Sequence, residues 1–247
     1  MFRTPYYNKS LALFLLNMCE LAYVQYQQNG LVSVPEGFTL VTEFQATTYG
    51  RTGLFGFILE SEESVIVAFR GTQSDVDWMA DADYSQSYYP YTVNGGLVHN
   101  GFLSVYESCR DFLLDVYKKL SPNKTLYITG HSLGAALATL HAADVATNQL
   151  FRNVVMYNFA SPRVGDPTFA ARYHQLVPNS IRFVNTTDVV AKVPPIMIYG
   201  PKAKKAWYYC HVEYEVSFTV QGGSLKANHF LETYKRGIKK LSNSVFK

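Results

Sequence analysis

The chain has 247 residues, 48% of them hydrophobic, enough to bury one substantial core, and it reads as one domain over 1–247. Its formal net charge of +3, thinly spread, argues against the dense basic footprint of a nucleic-acid binder, so nucleic acid is not an expected partner. The three cysteines, Cys19, Cys109 and Cys210, are an odd number without C-x-x-C spacing; they suggest buried free thiols rather than a disulfide framework or a zinc site.

The first predicted element contains the apolar run Leu11 to Met18. Asn17 and Glu20 interrupt that run, no small-residue cleavage site follows, and Ala12, Leu15, Leu16, Cys19 and Tyr23 recur at helical spacing, so an amphipathic helix is expected rather than a signal peptide. No stretch approaches the roughly 20 apolar residues that cross a bilayer. The chain as given therefore reads as cytoplasmic or as a mature secreted form. Strands are expected at Phe38 to Thr48, Leu54 to Leu59 and Val65 to Phe69, forming an antiparallel start to a sheet.

Ser74 is a good N-cap for a short, acidic, amphipathic helix that carries Trp78. From Gly101, the positions Phe102, Val105, Tyr106, Cys109, Leu113 and Val116 form one helical face, and Ser121-Pro122-Asn123 ends it. Thr125 to Thr129 then reads as a strand running straight into Gly130-His131-Ser132-Leu133-Gly134 and a helix from Leu133 to about Asn148. Strands at Val154 to Phe159 and Ile181 to Asn185 flank a helix around Thr168 to His174; this alternation predicts parallel strands joined by right-handed crossovers. Tyr208 to Val220 alternates like one further strand. Phe230 to Leu241 reads as a last helix with Lys235, Arg236, Lys239 and Lys240 on one face, a solvated surface or an attraction to anionic lipid.

The chemistry is concentrated at Ser132. A G-x-S-x-G pentapeptide at a strand-to-helix turn forces the serine into a strained backbone that lifts its hydroxyl above the sheet, while the helix N-terminus aims N–H groups at a developing oxyanion. This resembles the nucleophile elbow of the α/β-hydrolases and predicts their fold: a central, mostly parallel sheet flanked by helices, with an antiparallel N-terminal part. A serine needs a histidine to take its proton and a carboxylate to orient that histidine. In the chain order serine, acid, histidine, only His211 and His229 follow comfortably. Asp144 lies on the serine's own helix and Asp166 opens the next, whereas Asp188 stands at the carboxyl end of a predicted parallel strand, where such sheets place their chemistry.

Five segments in order extend the resemblance to a particular family, the class 3 lipases of fungi and their plant relatives. Phe69-Arg70-Gly71-Thr72 resembles the family's F-R-G-[ST], Val98 to Phe102 its V-H-x-G-F, and Thr129 to Ala135 its T-G-H-S-L-G-[AG]. Phe159 to Gly165 and Thr187 to Val190 are similar to its strand after the elbow and its aspartate segment. The resemblance implies Ser132 as nucleophile, Asp188 as acid and His229, before Phe230-Leu231, as base, with His211 a non-catalytic neighbour.

It further implies an oxyanion hole from Thr72 and the N–H of Leu133, and a lid around 74–83 with Trp78 in the moving helix. His131 is expected to turn away from the site and serve packing and hydrogen bonding. The implied activity is carboxylic-ester hydrolysis through an acyl-enzyme, of the triacylglycerol lipase type; carboxylesterase, phospholipase A1 and feruloyl esterase are variants within the family. An inactive binding protein on this fold would normally have lost one of these residues. No cofactor, no metal and no obligate protein partner are expected, only a lipid or other ester substrate, met at a lipid–water interface. A glycan on the sequon Asn185-Thr186-Thr187 would crowd Asp188, which speaks against a glycosylating secretory route.

Overall fold

The computed structural model describes residues 6–72, 84–200, 204–212 and 214–242. The segment expected to form a lid, 74–83 with Trp78, lies outside them. Helix α1 (Lys9–Gln27) is capped by Asn8, whose side chain accepts from Leu11 N. Three antiparallel strands follow, β1 (Thr39–Thr48), β2 (Arg51–Glu60) and β3 (Ser64–Phe69), then a small two-stranded pair, β4 (Gln86–Tyr88) and β5 (Leu97–His99). Beyond them, α2 (Asn100–Tyr117), β6 (Thr125–His131), α3 (Leu133–Thr147), β7 (Asn153–Phe159), α4 (Pro167–Leu176) and β8 (Ser180–Asn185) alternate as expected. The chain ends with a hairpin, β9 (Met197–Gly200) and β10 (Lys205–Tyr208), then β11 (Glu215–Phe218), α5 (Leu225–His229) and α6 (Leu231–Lys240).

The main sheet has the order β1-β2-β3-β6-β7-β8-β11, parallel from β3 onward. Alternation of side chains along each strand builds two cores. Val65, Val67 and Phe69 face α2 and α3 in one cluster, whereas Ile66 and Ala68 face α1 and α6 in the other. Helix α3 is buried along almost its whole length, so its alanines bring it close to the sheet. The α/β-hydrolase architecture expected from the sequence is the one observed.

One strand expectation is corrected. Tyr208 to Val220 is not continuous, because its alternating residues change partners. Tyr208 pairs with Met197 in the hairpin, Cys210 bridges to Gly165, Tyr214 turns with φ of 66°, and only from Glu215 does the chain join β8. The thiols of Cys19 and Cys109 are free and buried, and that of Cys210 is free and partly buried. The sequon at Asn185 is not presented to solvent: its side chain is buried and donates to the carbonyls of Val220 and Asn228. It therefore carries no argument about secretion.

Between α2 and α3 lies a buried polar cluster. Tyr117 donates to His141 Nε2 (2.8 Å), His141 Nδ1–H donates to the Tyr106 hydroxyl (3.2 Å), and Tyr106 donates to Asp144 Oδ2 (2.7 Å). Arg110 neutralises Asp144 at 2.5 Å. Burial pushes the His141 imidazole down to about 3, and burial together with Arg182 pushes His211 down to about 2. An unfolded histidine titrates near 6.5. Below that value the unfolded chain takes up protons that the folded chain refuses. Stability present above about 6.5 is then lost as pH falls, at about 1.4 kcal/mol per pH unit from each ring. Urea unfolding should show a lower midpoint at about pH 5 than at about pH 7, and His141→Gln should reduce that drop. An unchanged pH slope in the variant would contradict this assignment.

Candidate active site

Strand β6 ends at His131 and α3 begins at Leu133, leaving Ser132 alone to make the turn, with φ of 58° and ψ of −124°. A positive φ is strained for any residue with a Cβ, and this one is held by its surroundings. Two glycines make the turn possible. A Cβ on Gly130 would fall 2.2 Å from the Gly134 carbonyl, and one on Gly134 would fall 2.3 Å from the Phe69 carbonyl. The turn therefore packs backbone on backbone, which only glycine permits.

The segment after β3 is drawn into the same place. A Cβ on Gly71 would lie 2.8 Å from the His131 carbonyl and 3.2 Å from Ser132 Cβ, so Thr72 follows directly beside the elbow. Leu133 is the first residue of α3, and its N–H has no acceptor within the helix. Thr72 and Leu133 together border a cleft of about 600 Å³ that also meets His99, Phe102 and Val105. Both residues expected to supply the oxyanion donors thus border one cleft, with Leu133 at the positive end of a helix.

The expected acid and base meet as well. His229 closes α5 and donates from Nδ1 to Asp188 Oδ2 at 2.8 Å, with both side chains buried. Asp188 lies in the turn after β8 and is oriented by three donors, since Oδ1 accepts from Val190 N (2.9 Å) and Oδ2 also accepts from the Tyr234 hydroxyl (2.7 Å). With Nδ1 protonated toward the carboxylate, the imidazole presents Nε2 as its basic atom. The rival residues are engaged elsewhere. His211 donates from Nε2 to the Ala191 carbonyl (2.8 Å), Asp166 caps α4, and Asp144 is held by Arg110 and Tyr106.

Three further residues support this pair. Asn185, at the end of β8, donates to the Val220 and Asn228 carbonyls and accepts from Val220 N, fastening the loop that precedes His229 to the strand that precedes Asp188. His131 serves the packing and hydrogen bonding expected of it, but toward the site rather than away from it. Its ring lies 4.6 Å from that of His229; Nε2–H donates to the His229 carbonyl (2.8 Å) and Nδ1 accepts from Tyr23 (3.0 Å).

Tyr234 is the third. Burial and the neighbouring Asp188 raise its pKa well above the usual value, so it remains a hydroxyl donor to the carboxylate. Tyr234→Phe removes that charge-assisted bond while keeping the ring. A hydrogen bond to a charged group contributes about 1.5–3 kcal/mol, so kcat should fall about ten- to a hundredfold with little change in KM. Steady-state kinetics on a soluble ester tests this, and unchanged kcat would remove Tyr234 from the site.

Comparison with known proteins bears on this geometry. The family model described as lipase (class 3) matches residues 66–198, which include the elbow and Asp188. A secreted mono- and diacylglycerol lipase A of Penicillium cyclopium is 35% identical over 161 residues, 64% of this chain and 52% of that protein. A rice phospholipase A1-II 1 is 31% identical over 198 residues, 67% of this chain and 50% of that protein. The chain thus spans about half the length of these curated relatives. A crystal structure of a Penicillium cyclopium MDLA variant superimposes with a TM-score of 0.70 at 28% identity, covering 87% of this chain and 81% of the other. The family match spans more than half of the residues, and the chain belongs to the class 3 lipase family.

Proposed function

We propose that this chain is a serine carboxylic-ester hydrolase of the triacylglycerol lipase type, with Ser132 as nucleophile, His229 as base and Asp188 as orienting acid. The observation that carries it is the 2.8 Å bond from His229 Nδ1 to Asp188 beside a serine held at positive φ on a helix N-terminus. His229 Nε2 takes the Ser132 proton as Oγ attacks the ester carbonyl, and the N–H groups of Leu133 and Thr72, with the Thr72 hydroxyl, receive the oxyanion. Collapse expels the alcohol, which leaves with the proton from His229. Water then attacks the acyl-enzyme by the same route, releasing the acid and restoring Ser132. No step calls for a metal or an organic cofactor.

Similarity to the rice phospholipase A1 supports a second reading, hydrolysis of a phospholipid acyl ester by the same residues. The triad recognises an ester, and the walls of the cleft choose which one. A series of p-nitrophenyl esters from acetate to long acyl chains, run beside tributyrin, phosphatidylcholine and a feruloyl ester, separates these. Turnover rising with acyl length and highest on the acylglycerol is expected. A preference for phosphatidylcholine would favour the phospholipase, and a preference for the feruloyl ester would overturn both.

A further inference from the structure

The hairpin β9–β10 follows the turn that carries Asp188, and Arg163, beyond the end of β7 whose Phe159 carbonyl accepts from Ser132 N, donates to the Pro194 carbonyl just before the hairpin. An isolated two-stranded hairpin is marginal in water, and this one is fastened at its base. Tyr209 N donates to the Ile196 carbonyl, Gln86 donates to the Tyr208 carbonyl, and Arg163 donates to the Pro194 carbonyl. Met197 pairs with Tyr208 and Tyr199 with Ala206, so these side chains share one face. Ile198 and Trp207 take the other face and are half-buried.

The first face is left in solvent. Met197, Tyr199 and Tyr208 are 58%, 59% and 51% exposed, and Ile196 next to them is 67% exposed. Lys204 and Lys205 are exposed next to the hairpin turn, and Lys205 alternates with Trp207 onto the other face, its Nζ 4.3 Å from that ring. Between Val189 and Val212 the sequence contains four lysines and no carboxylate. Helix α5, which ends at His229, also leaves apolar groups exposed beside a lysine, Leu225 and the following Phe230, with Lys226 Nζ 6.0 Å from the Phe230 ring.

Resting on the lipase reading, we propose that the outer face of the β9–β10 hairpin is a fixed docking surface for anionic lipid, holding the catalytic end of the sheet against it. Aliphatic side chains with tyrosines suit the boundary between acyl chains and head groups. Lys204 and Lys205 supply attraction to anionic lipid, about 1 kcal/mol for each one near the surface. The same lysines oppose pairing with a second copy of this face, where like charges would meet. The basic helix α6 is a weaker candidate, because Lys235 is 3.6 Å from Glu20 and the helix's apolar side is spent on the core.

The test separates docking from catalysis. Ser132→Ala protein is sedimented at low salt with vesicles of phosphatidylcholine alone and of phosphatidylcholine mixed with phosphatidylglycerol. Binding about tenfold tighter to the mixed vesicles is expected, lost in Lys204→Glu/Lys205→Glu, and about tenfold weaker on both vesicle types in Met197→Ser/Tyr199→Ser/Tyr208→Ser. In the Ser132 background both variants should hydrolyse soluble p-nitrophenyl butyrate at the wild-type rate, which shows that they fold. Should the apolar variant fail to fold, the lysine pair decides alone. Equal binding to both vesicle types, or no effect of the lysine reversal, overturns the proposal. So does a dimer that the apolar variant loses while vesicle binding is unchanged, since the face would then be a contact between copies. A wild type that binds as expected yet cleaves no ester leaves the surface standing and sinks the lipase reading instead.

Discussion

Ser132→Ala should lower kcat by about a millionfold while leaving the protein folded. The mutation removes one oxygen and no core volume. The Ser132 hydroxyl is hydrogen-bonded to no described residue, so its loss leaves no described group without a partner. Stability should therefore change by no more than about 1 kcal/mol. The backbone strain at φ of 58° is kept, because alanine carries the same Cβ. Kinetics on p-nitrophenyl butyrate with a parallel thermal melt checks both halves. Residual turnover within about tenfold of wild type would end the assignment of Ser132.

Asp188→Asn should cost about ten-thousandfold in kcat, again without unfolding. The reason lies in the three donors that converge on the carboxylate. If the asparagine oxygen keeps the Val190 N–H, its amide occupies the former Oδ2 position, facing His229 Nδ1 and the Tyr234 hydroxyl. The amide donates to Nδ1, so the imidazole proton moves to Nε2 and the ring can no longer accept from Ser132. If the amide is reversed, the Val190 N–H meets a donor instead. Either arrangement costs catalysis, by the wrong tautomer or by a displaced acid. Full activity in this variant would require another acid to orient His229, and the engagement of Asp144 with Arg110 and of Asp166 with the α4 cap argues against both of those.

The strand-to-helix turn, the parallel alternation and the pairing of Asp188 with His229 were legible because each has a local signature: glycines where backbones touch, a period of two or of 3.6, and a fixed sequence of chemical types. The supporting residues were not, since their partners are distant in the chain. Tyr234 reads simply as part of the apolar face of the last helix, and nothing nearby in sequence marks its hydroxyl as a donor to Asp188, 46 positions earlier. His131 was expected to face away because its neighbour faces the site. In the fold α1 brings Tyr23 to one side of its ring and α5 brings His229 to the other. The continuous strand expected over Tyr208 to Val220 failed for a related reason. Alternation records which residues are covered, not whether one partner covers them all.

The polar cluster inside α3 shows the same limit. His141 and Asp144 sit on a helix that otherwise reads as uniformly buried, and only the fold shows that Arg110, Tyr106 and Tyr117 of α2 satisfy them. Buried polar groups are retained when each one has partners, and this set satisfies that condition.

The central claim is that Ser132 attacks the ester and carries the acyl group. Intact-mass measurement after treatment with a p-nitrophenyl alkylphosphonate tests it most directly, because the reagent traps the attacking oxygen in a stable tetrahedral adduct. A single adduct on the peptide containing Gly130 to Gly134, with one p-nitrophenolate released per chain and no adduct in Ser132→Ala, is the predicted result. An adduct on any other residue, or labelling that persists in Ser132→Ala, would contradict it.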